Sequence, residues 1–237
     1  MKIDILTIFP KMFAGPLTES LIGKAASNKI LDIHIIDIRS FSKDKHKKVD
    51  DKPFGGGAGM VMKPEPIYDA LKAAGVKKRN KDYKNSLAKP LVIFMSPQGK
   101  RLNTEIVKKL SKFKHLVILC GHYEGVDERV MNFVDEEISI GDFVLTGGEI
   151  PAMAVVDSVA RMLPGVIKEE ISVKNDSFYN GLLDYPHYTR PAEFKKMKVP
   201  EVLLSGDHKK IENWRKNEAL KRTRERRPDL LKRQCEK

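Results

Sequence analysis

The chain has 237 residues, 41% of them hydrophobic and 32% charged, with a formal net charge of +12 and a pI near 9.5. That length supports one large domain, or an ordinary one with a smaller partner, and the apolar fraction supports a real core. Two cysteines exclude a disulfide framework and no stretch reaches membrane-spanning length. So basic a chain, with no signal pattern at its start, is expected in a reducing cytoplasm with nucleic acid as its partner, an anionic membrane surface being second choice on charge alone; read as a whole, the sequence predicts no membrane partner.

Lys2 to Phe9 alternates and is rich in isoleucine, which predicts a first strand. Pro16 opens a helix to about Asn28, with Leu17, Leu21, Ile22 and Ala25 at helical spacing, and Ile30 to Ile38 is a second strand. Arg39 to Lys63 is long and irregular, holding the basic run Lys43 to Lys48, Asp50-Asp51 and the glycine run from Gly55 to Gly59. Loops of this length inside a compact domain are usually functional or mobile. No Lys-Ser or Lys-Thr pair follows the glycines, so a phosphate cradle has little support. Pro64 to Ala74 is a helix, and 75–89 is a polar, exposed connection.

Strict alternation follows. A strand from Pro90 to Met95 leads into Ser96-Pro97-Gln98-Gly99, then a helix capped by Asn103 runs to about Phe113. The strand His115 to Cys120 leads into Gly121-His122-Tyr123-Glu124-Gly125, then a short helix spans Asp127 to Phe133. The stretch Ile138 to Pro151 comes next, with a Gly-Asp pair and a Gly-Gly pair around Phe143-Val144-Leu145. This pattern predicts an α/β fold with a mostly parallel sheet and helices on both faces. In such sheets a ligand sits beyond the carboxyl ends of the strands, where this chain carries three glycine-bearing loops.

The helix Ile150 to Leu163 is apolar around most of its circumference, which requires burial in a core or an interface. Asp157 and Arg161 stand four apart on it, acid first, the favourable order for a helical ion pair. Leu163-Pro164-Gly165 ends it. Residues 1–165 are therefore read as the α/β domain, 166–175 as a linker, and 176–237 as a small helical domain, with helices from Val199 to Leu204 and from Asp207 to about Arg226. From Gly206 to Lys237 twelve Lys or Arg face six Asp or Glu. A solvated face is the plain reading of such a run.

Dinucleotide, nucleotide-triphosphate and zinc signatures are all missing, and neither Cys120 nor Ser96 sits in a nucleophile pattern. A glycine-lined pocket, a basic surface and downstream acids and arginines fit transfer of a group from a bound donor to a nucleic acid.

Six segments then match one family in order and spacing: VDDKPFGGGAGM from Val49, SPQG from Ser96, GHYEGVDERV from Gly121, SIGDFVLTGGEIPAM from Ser139, DSVARMLPGV from Asp157 and NDSFYNGLLDYPHYTRP from Asn175. The chain closely resembles the bacterial tRNA (guanine-N1)-methyltransferases of TrmD type over nearly its full length. Ala58 stands where the family usually has proline, and the tail stops early compared with some members.

The resemblance implies a deep trefoil knot in the α/β domain, which periodicity does not reveal. It implies an S-adenosylmethionine site with Ser96, Pro97 and Gly99 in the first loop and Gly121, Tyr123, Glu124 and Gly125 in the second. The third loop would supply Ile140, Gly141, Asp142, Phe143, Val144 and Leu145, followed by Gly147, Gly148 and Pro151. The acceptor would be N1 of guanosine 37 in tRNA, preceded by another guanosine; no DNA is expected. Asp176 matches the family's proposed base and Arg161 the residue that orients the guanine. Read from the residues alone, Asp176 serves equally as an N-cap for a helix starting at Ser177. Asp50, Gly59, His187, Arg190, Lys221, Arg222 and Arg224 are the expected tRNA contacts. A homodimer with shared sites is implied, as is help from magnesium, for which the sequence offers no ligand cluster. Two other readings stay open: a knotted methyltransferase acting on ribosomal RNA, and a non-catalytic RNA-binding protein with a vestigial pocket.

Overall fold

The computed structural model describes residues 1–76 and 87–231, and the chain divides into two compact units, Met1–Lys168 and Glu169–Lys237. Most of the connection expected at 75–89, and Cys235 in the tail, lie outside the described residues.

The strands of the first unit are β1 (Lys2–Thr7), β2 (Asp32–Asp37), the two-residue β3 (Asp50–Asp51) and β4 (Val61–Met62), β5 (Leu91–Arg101), β6 (His115–Cys120) and β7 (Glu136–Ser139). Its α-helices are α1 (Ser20–Ser27), α2 (Pro64–Ala73), α3 (Thr104–Leu110) and α4 (Glu149–Ala160). Five strands form one parallel sheet in the order β2-β1-β6-β5-β7. The α/β expectation therefore holds.

Alternation along the central strands sends side chains to two cores. Ile3, Ile5, Leu91, Ile93, Met95, Leu116 and Ile118 pack with α1, α3 and α4 on one face. Leu6, Val92, Phe94, Val117 and Leu119 pack with α2 and with Met62 on the other. With both faces covered, strands such as β6 read as unbroken apolar runs. Each fully buried aliphatic chain contributes about 1.5–3 kcal/mol relative to exposure.

Local chemistry sets the element ends. Asn103 caps α3, its side chain accepting from Ile106 N at 3.0 Å. The first helix begins at Ser20, not Pro16, because the Thr18 hydroxyl accepts from Gly15 N at 3.1 Å and holds a turn in its place. The expected helix at 127–133 is a 3-10 helix, Glu128–Phe133, with Asp127 accepting from Arg129 N. In β5 the register shifts between Met95 and Lys100, both opposite Ile138, so Ser96 to Gly99 bulge out of a strand that resumes afterwards. Helix α4 buries Ala152, Val155, Val156, Val159 and Ala160, while Ile150 on its outer side is half exposed.

The second unit holds α5 (Glu170–Asn175), the hairpin β8 (Glu193–Phe194) and β9 (Met197–Lys198), α6 (Glu201–Leu204) and α7 (His208–Arg226). The stretch read as a linker, 166–175, thus contains a helix; no glycine or proline interrupts it. Asp176 follows the end of α5 and residues 177–180 form a turn, so it caps no helix starting at Ser177. The hairpin was not expected from the sequence, since its turn places Lys195 and Lys196 at φ +48° and +64° without the usual Asn or Gly. Asp207 caps α7 at Lys210 N, 3.1 Å away. The Thr223 hydroxyl donates to Ala219 O at 2.7 Å and accepts from Leu183 N at 2.9 Å, fixing α7 within its unit. Among the described residues no helix is long and apolar enough to cross a membrane.

Candidate active site

The bulge of β5 and the loops that leave the carboxyl ends of β6 and β7 enclose a cavity of about 550 Å³. That is within the range of small-molecule sites. Ser96 and Pro97 line it from the first loop, and Gly121, Tyr123, Glu124 and Gly125 from the second. Ile140, Gly141, Phe143, Val144, Leu145, Gly147, Gly148 and Pro151 line it from the third. Two expected residues do not. Gly99 lies against the backbone of Glu137 and Ile138, closing the bulge, and Asp142 points outward, 3.7 Å from Arg101.

Backbone contacts hold the loops together. Gly148 N donates to Gly121 O at 2.9 Å, and His122 and Gly147 form an antiparallel bridge. A Cβ on Gly148 would stand 2.8 Å from Cys120 Cα and 3.0 Å from Gly121 N, so close approach of two backbones requires glycine there. The Ser139 hydroxyl donates to Gly141 O and accepts from Gly141 N, tying the start of the third loop. Phe143, Val144 and Leu145 then present exposed apolar surface at the rim.

The lining includes Glu124, Glu128 and Glu137, with His122, and no Lys or Arg among the described residues. In a chain with a net charge of +12 this is a local reversal of sign. Glu128 and Met131 come from the 3-10 helix after the second loop, where no sequence signal marked a ligand wall. His122 and Thr146 also line the cavity and could have been found by their position inside two glycine loops.

Below the loops, Glu149 is 1% exposed in the first turn of α4, and its Oε1 accepts from the Thr7 hydroxyl at 2.8 Å. A carboxylate there is favoured by the helix N-terminus. Burial, then the charge of Glu149, push the Cys120 thiol well above its ordinary range, which leaves it inert as a nucleophile.

Asp50 and Gly59 lie on an arm beside the cavity. Antiparallel β3 and β4 pair Asp50 with Met62, and the arm is bonded to the second loop by Glu124 N to Met60 O at 3.1 Å and Met62 N to Gly125 O at 2.9 Å. Phe54, at the head of the glycine run, is fully exposed. Arg161 closes α4, its backbone N donating to Asp157 O at 3.1 Å. In the second unit His187 pairs with Asp184 at 2.8 Å, Arg190 is exposed, and Lys221, Arg222 and Arg224 lie along α7.

No group of three His, Cys, Asp or Glu side chains converges as a metal site among the described residues, so magnesium is assigned no residues.

Comparison with known proteins gives the same direction as this geometry. A relative from Endomicrobium trichonymphae is 75% identical over 232 residues, covering 98% of this chain and 100% of the relative. Relatives from Fusobacterium nucleatum and Ruminiclostridium cellulolyticum are 60% and 55% identical, each over 98% of this chain and 91% and 96% of their own lengths. All three are named tRNA (guanine-N(1)-)-methyltransferase. The family model for tRNA (Guanine-1)-methyltransferase TrmD matches residues 1–233, with all three cavity loops inside the match. A cavity walled by glycine loops at the ends of a parallel sheet, in a chain matched almost end to end, places this protein in the tRNA (Guanine-1)-methyltransferase TrmD family.

Proposed function

We propose that the chain transfers a methyl group from S-adenosylmethionine to N1 of guanosine 37 in tRNA, leaving N1-methylguanosine and S-adenosylhomocysteine. The observation that carries this is the glycine-lined cavity beyond β5, β6 and β7 in a chain of this family. The cradle suits such a donor: Gly121, Gly125, Gly141, Gly147 and Gly148 line it and offer backbone with no side chain of their own. The carboxylates of the lining suit its positive charge. The trefoil knot belongs to the same reading and rests on the family match.

When bound, the donor supplies a methyl group already activated on a sulfonium, and its sulfur leaves as a neutral thioether. The protein's task is at the acceptor. Guanine N1 carries a proton and attacks only as that proton leaves, so a base must receive it while negative charge spreads toward O6. Asp176 is assigned that base. Arg161 is assigned to the guanine oxygen, where a charged fork of donors holds the plane of the base. The target base must leave its stack to reach the cavity.

A homodimer is part of the proposal. Phe9, Met12 and Ile150 are exposed apolar residues around one hollow beside α4, a surface suited to a second copy. Asp50 and Gly59 on the arm, with His187, Arg190, Lys221, Arg222 and Arg224 in the second unit, are assigned to tRNA. The cytoplasm, where tRNA is processed, is the proposed compartment.

Incubation with unfractionated tRNA and rRNA, followed by mass mapping of methylated nucleosides, tests the reading. Donor-dependent N1-methylguanosine at position 37 of tRNA is expected. Methylation confined to rRNA, or none with folded protein, would overturn it.

A further inference from the structure

Between the donor cavity and the end of β1 lies a smaller hollow of about 200 Å³, walled by Phe9, Met12, His122, Thr146, Gly147, Glu149 and Ile150. His122 and Gly147 belong to both spaces. Two polar atoms converge at Gly147: a Cβ built there would strike Glu149 Oε2 and lie 2.6 Å from His122 Nδ1. Glu149 Oε1 is already engaged by Thr7. His122 Nδ1 is buried with no hydrogen-bond partner among the described residues. Such an atom carries an unmet desolvation cost that a short movement toward an acceptor would recover. The ring makes edge contacts with Phe9 and Tyr123, each with centroids 4.9 Å away, and a small turn about χ2 is the adjustment the lock requires.

We infer that Glu149 is a positioning residue of the donor site: when the donor binds, His122 Nδ1–H donates to Glu149 Oε2 and locks the second loop onto Gly147. This rests on the donor-site reading of the cavity. The lock joins the end of β1 through Thr7, the loop after β6 through His122, and the first turn of α4 through Glu149 itself. Either the neutral tautomer with hydrogen on Nδ1 or the imidazolium can supply the proton, so no change of ionisation is needed. A glycine at 147 is what lets the two side chains meet. Any side chain there would stand between them.

A double-mutant cycle read by calorimetry with S-adenosylhomocysteine tests the lock. His122→Phe and Glu149→Leu should each weaken binding by about tenfold, the worth of one hydrogen bond to a charged group. The double variant should lose no more than the worse single one, because both remove the same interaction. His122→Asn, whose side-chain N–H can stand near Nδ1, should stay within about threefold of wild type. Additive losses, or wild-type affinity in His122→Phe, would overturn the proposal. Should Glu149→Leu fail to fold, nitrogen-15 spectra of imidazole-labelled wild-type protein decide instead. An exchange-protected His122 Nδ1 proton must appear on adding S-adenosylhomocysteine, and an unchanged ring overturns the lock. Failure of wild type to bind S-adenosylhomocysteine at all would instead remove the donor reading, and the lock with it.

Discussion

The carboxylate of Glu124 occupies the place where Gly59 would carry a side chain, so the arm that presents Asp50 packs against the cavity wall through this glycine as well as through its backbone hydrogen bonds. Gly59 also has φ +82°, a conformation that costs a residue with a side chain about 1–2 kcal/mol. Gly59→Ala should lower the melting temperature modestly and, by displacing Glu124, weaken S-adenosylmethionine binding several-fold. A variant that melts earlier but binds donor normally would reduce the contact to packing.

Gly141 meets the Phe143 ring where its own Cβ would be, which ties the start of the third loop to its apolar rim. Gly141→Val should force that ring aside and lower donor affinity by about tenfold or more while the sheet remains folded. Calorimetry on a protein with an unchanged circular-dichroism spectrum is the check. Unaltered affinity would remove this loop from the donor site.

Asp176→Asn should lose turnover by about a hundredfold or more, as removal of a general base does, with donor and tRNA affinity retained. Arg161→Ala should also be nearly inactive. If the two residues serve one site from different subunits, a mixed dimer of the two variants keeps one intact site, and activity partly returns. A purified heterodimer as inactive as its parents would sink the cross-subunit assignment.

Neutralising Lys221, Arg222 and Arg224 together should weaken tRNA binding and reduce the log–log salt dependence by about two to three units, since each phosphate contact releases close to one counterion. Donor affinity should hold. An unchanged salt slope would return this stretch of α7 to an ordinary solvated face.

Asp4 is 1% exposed inside β1, with His115 Nε2 at 2.8 Å and Lys2 Nζ at 2.9 Å. Burial by itself raises its pKa, but the hydrogen bonds from His115 and Lys2, with their charges, outweigh burial and hold it below the ordinary value. A depressed carboxylate stabilises the fold above its unfolded pKa of about 3.9, and that contribution is lost as pH falls through the lower folded value. Urea midpoints should therefore drop below about pH 4 in wild type. Asp4→Asn should be less stable at pH 7 by about 1–3 kcal/mol and show a shallower acid slope. Parallel pH profiles for the two proteins would contradict the assignment.

What the sequence made legible follows from locality. The strand His115–Cys120 is bounded as its apolar run is bounded, and Asn103 caps the helix it precedes, because each signal lies within a few residues of its effect. The cavity loops were legible because glycines stand where backbones cross. The Lys195-Lys196 turn was not, since lysine carries no preference for positive φ. Gly99 and Asp142 sit in the right loops but face away, a matter of strand register and side-chain direction that spacing does not encode. Thr7 and Glu149 are 142 residues apart and meet only because β1 lies beside β6, so nothing in either neighbourhood announces the buried contact.

The reversal of charge at the cavity has a bearing on traffic. A chain with a formal charge of +12 draws polyanions to its surface without regard to their identity. Nucleotides, polyphosphates and the tRNA backbone share that attraction, yet the cavity lining carries Glu124, Glu128 and Glu137 with no lysine or arginine among the described lining residues. A lining of that sign opposes phosphates and favours a cation, the charge that the proposed donor carries and its by-product lacks.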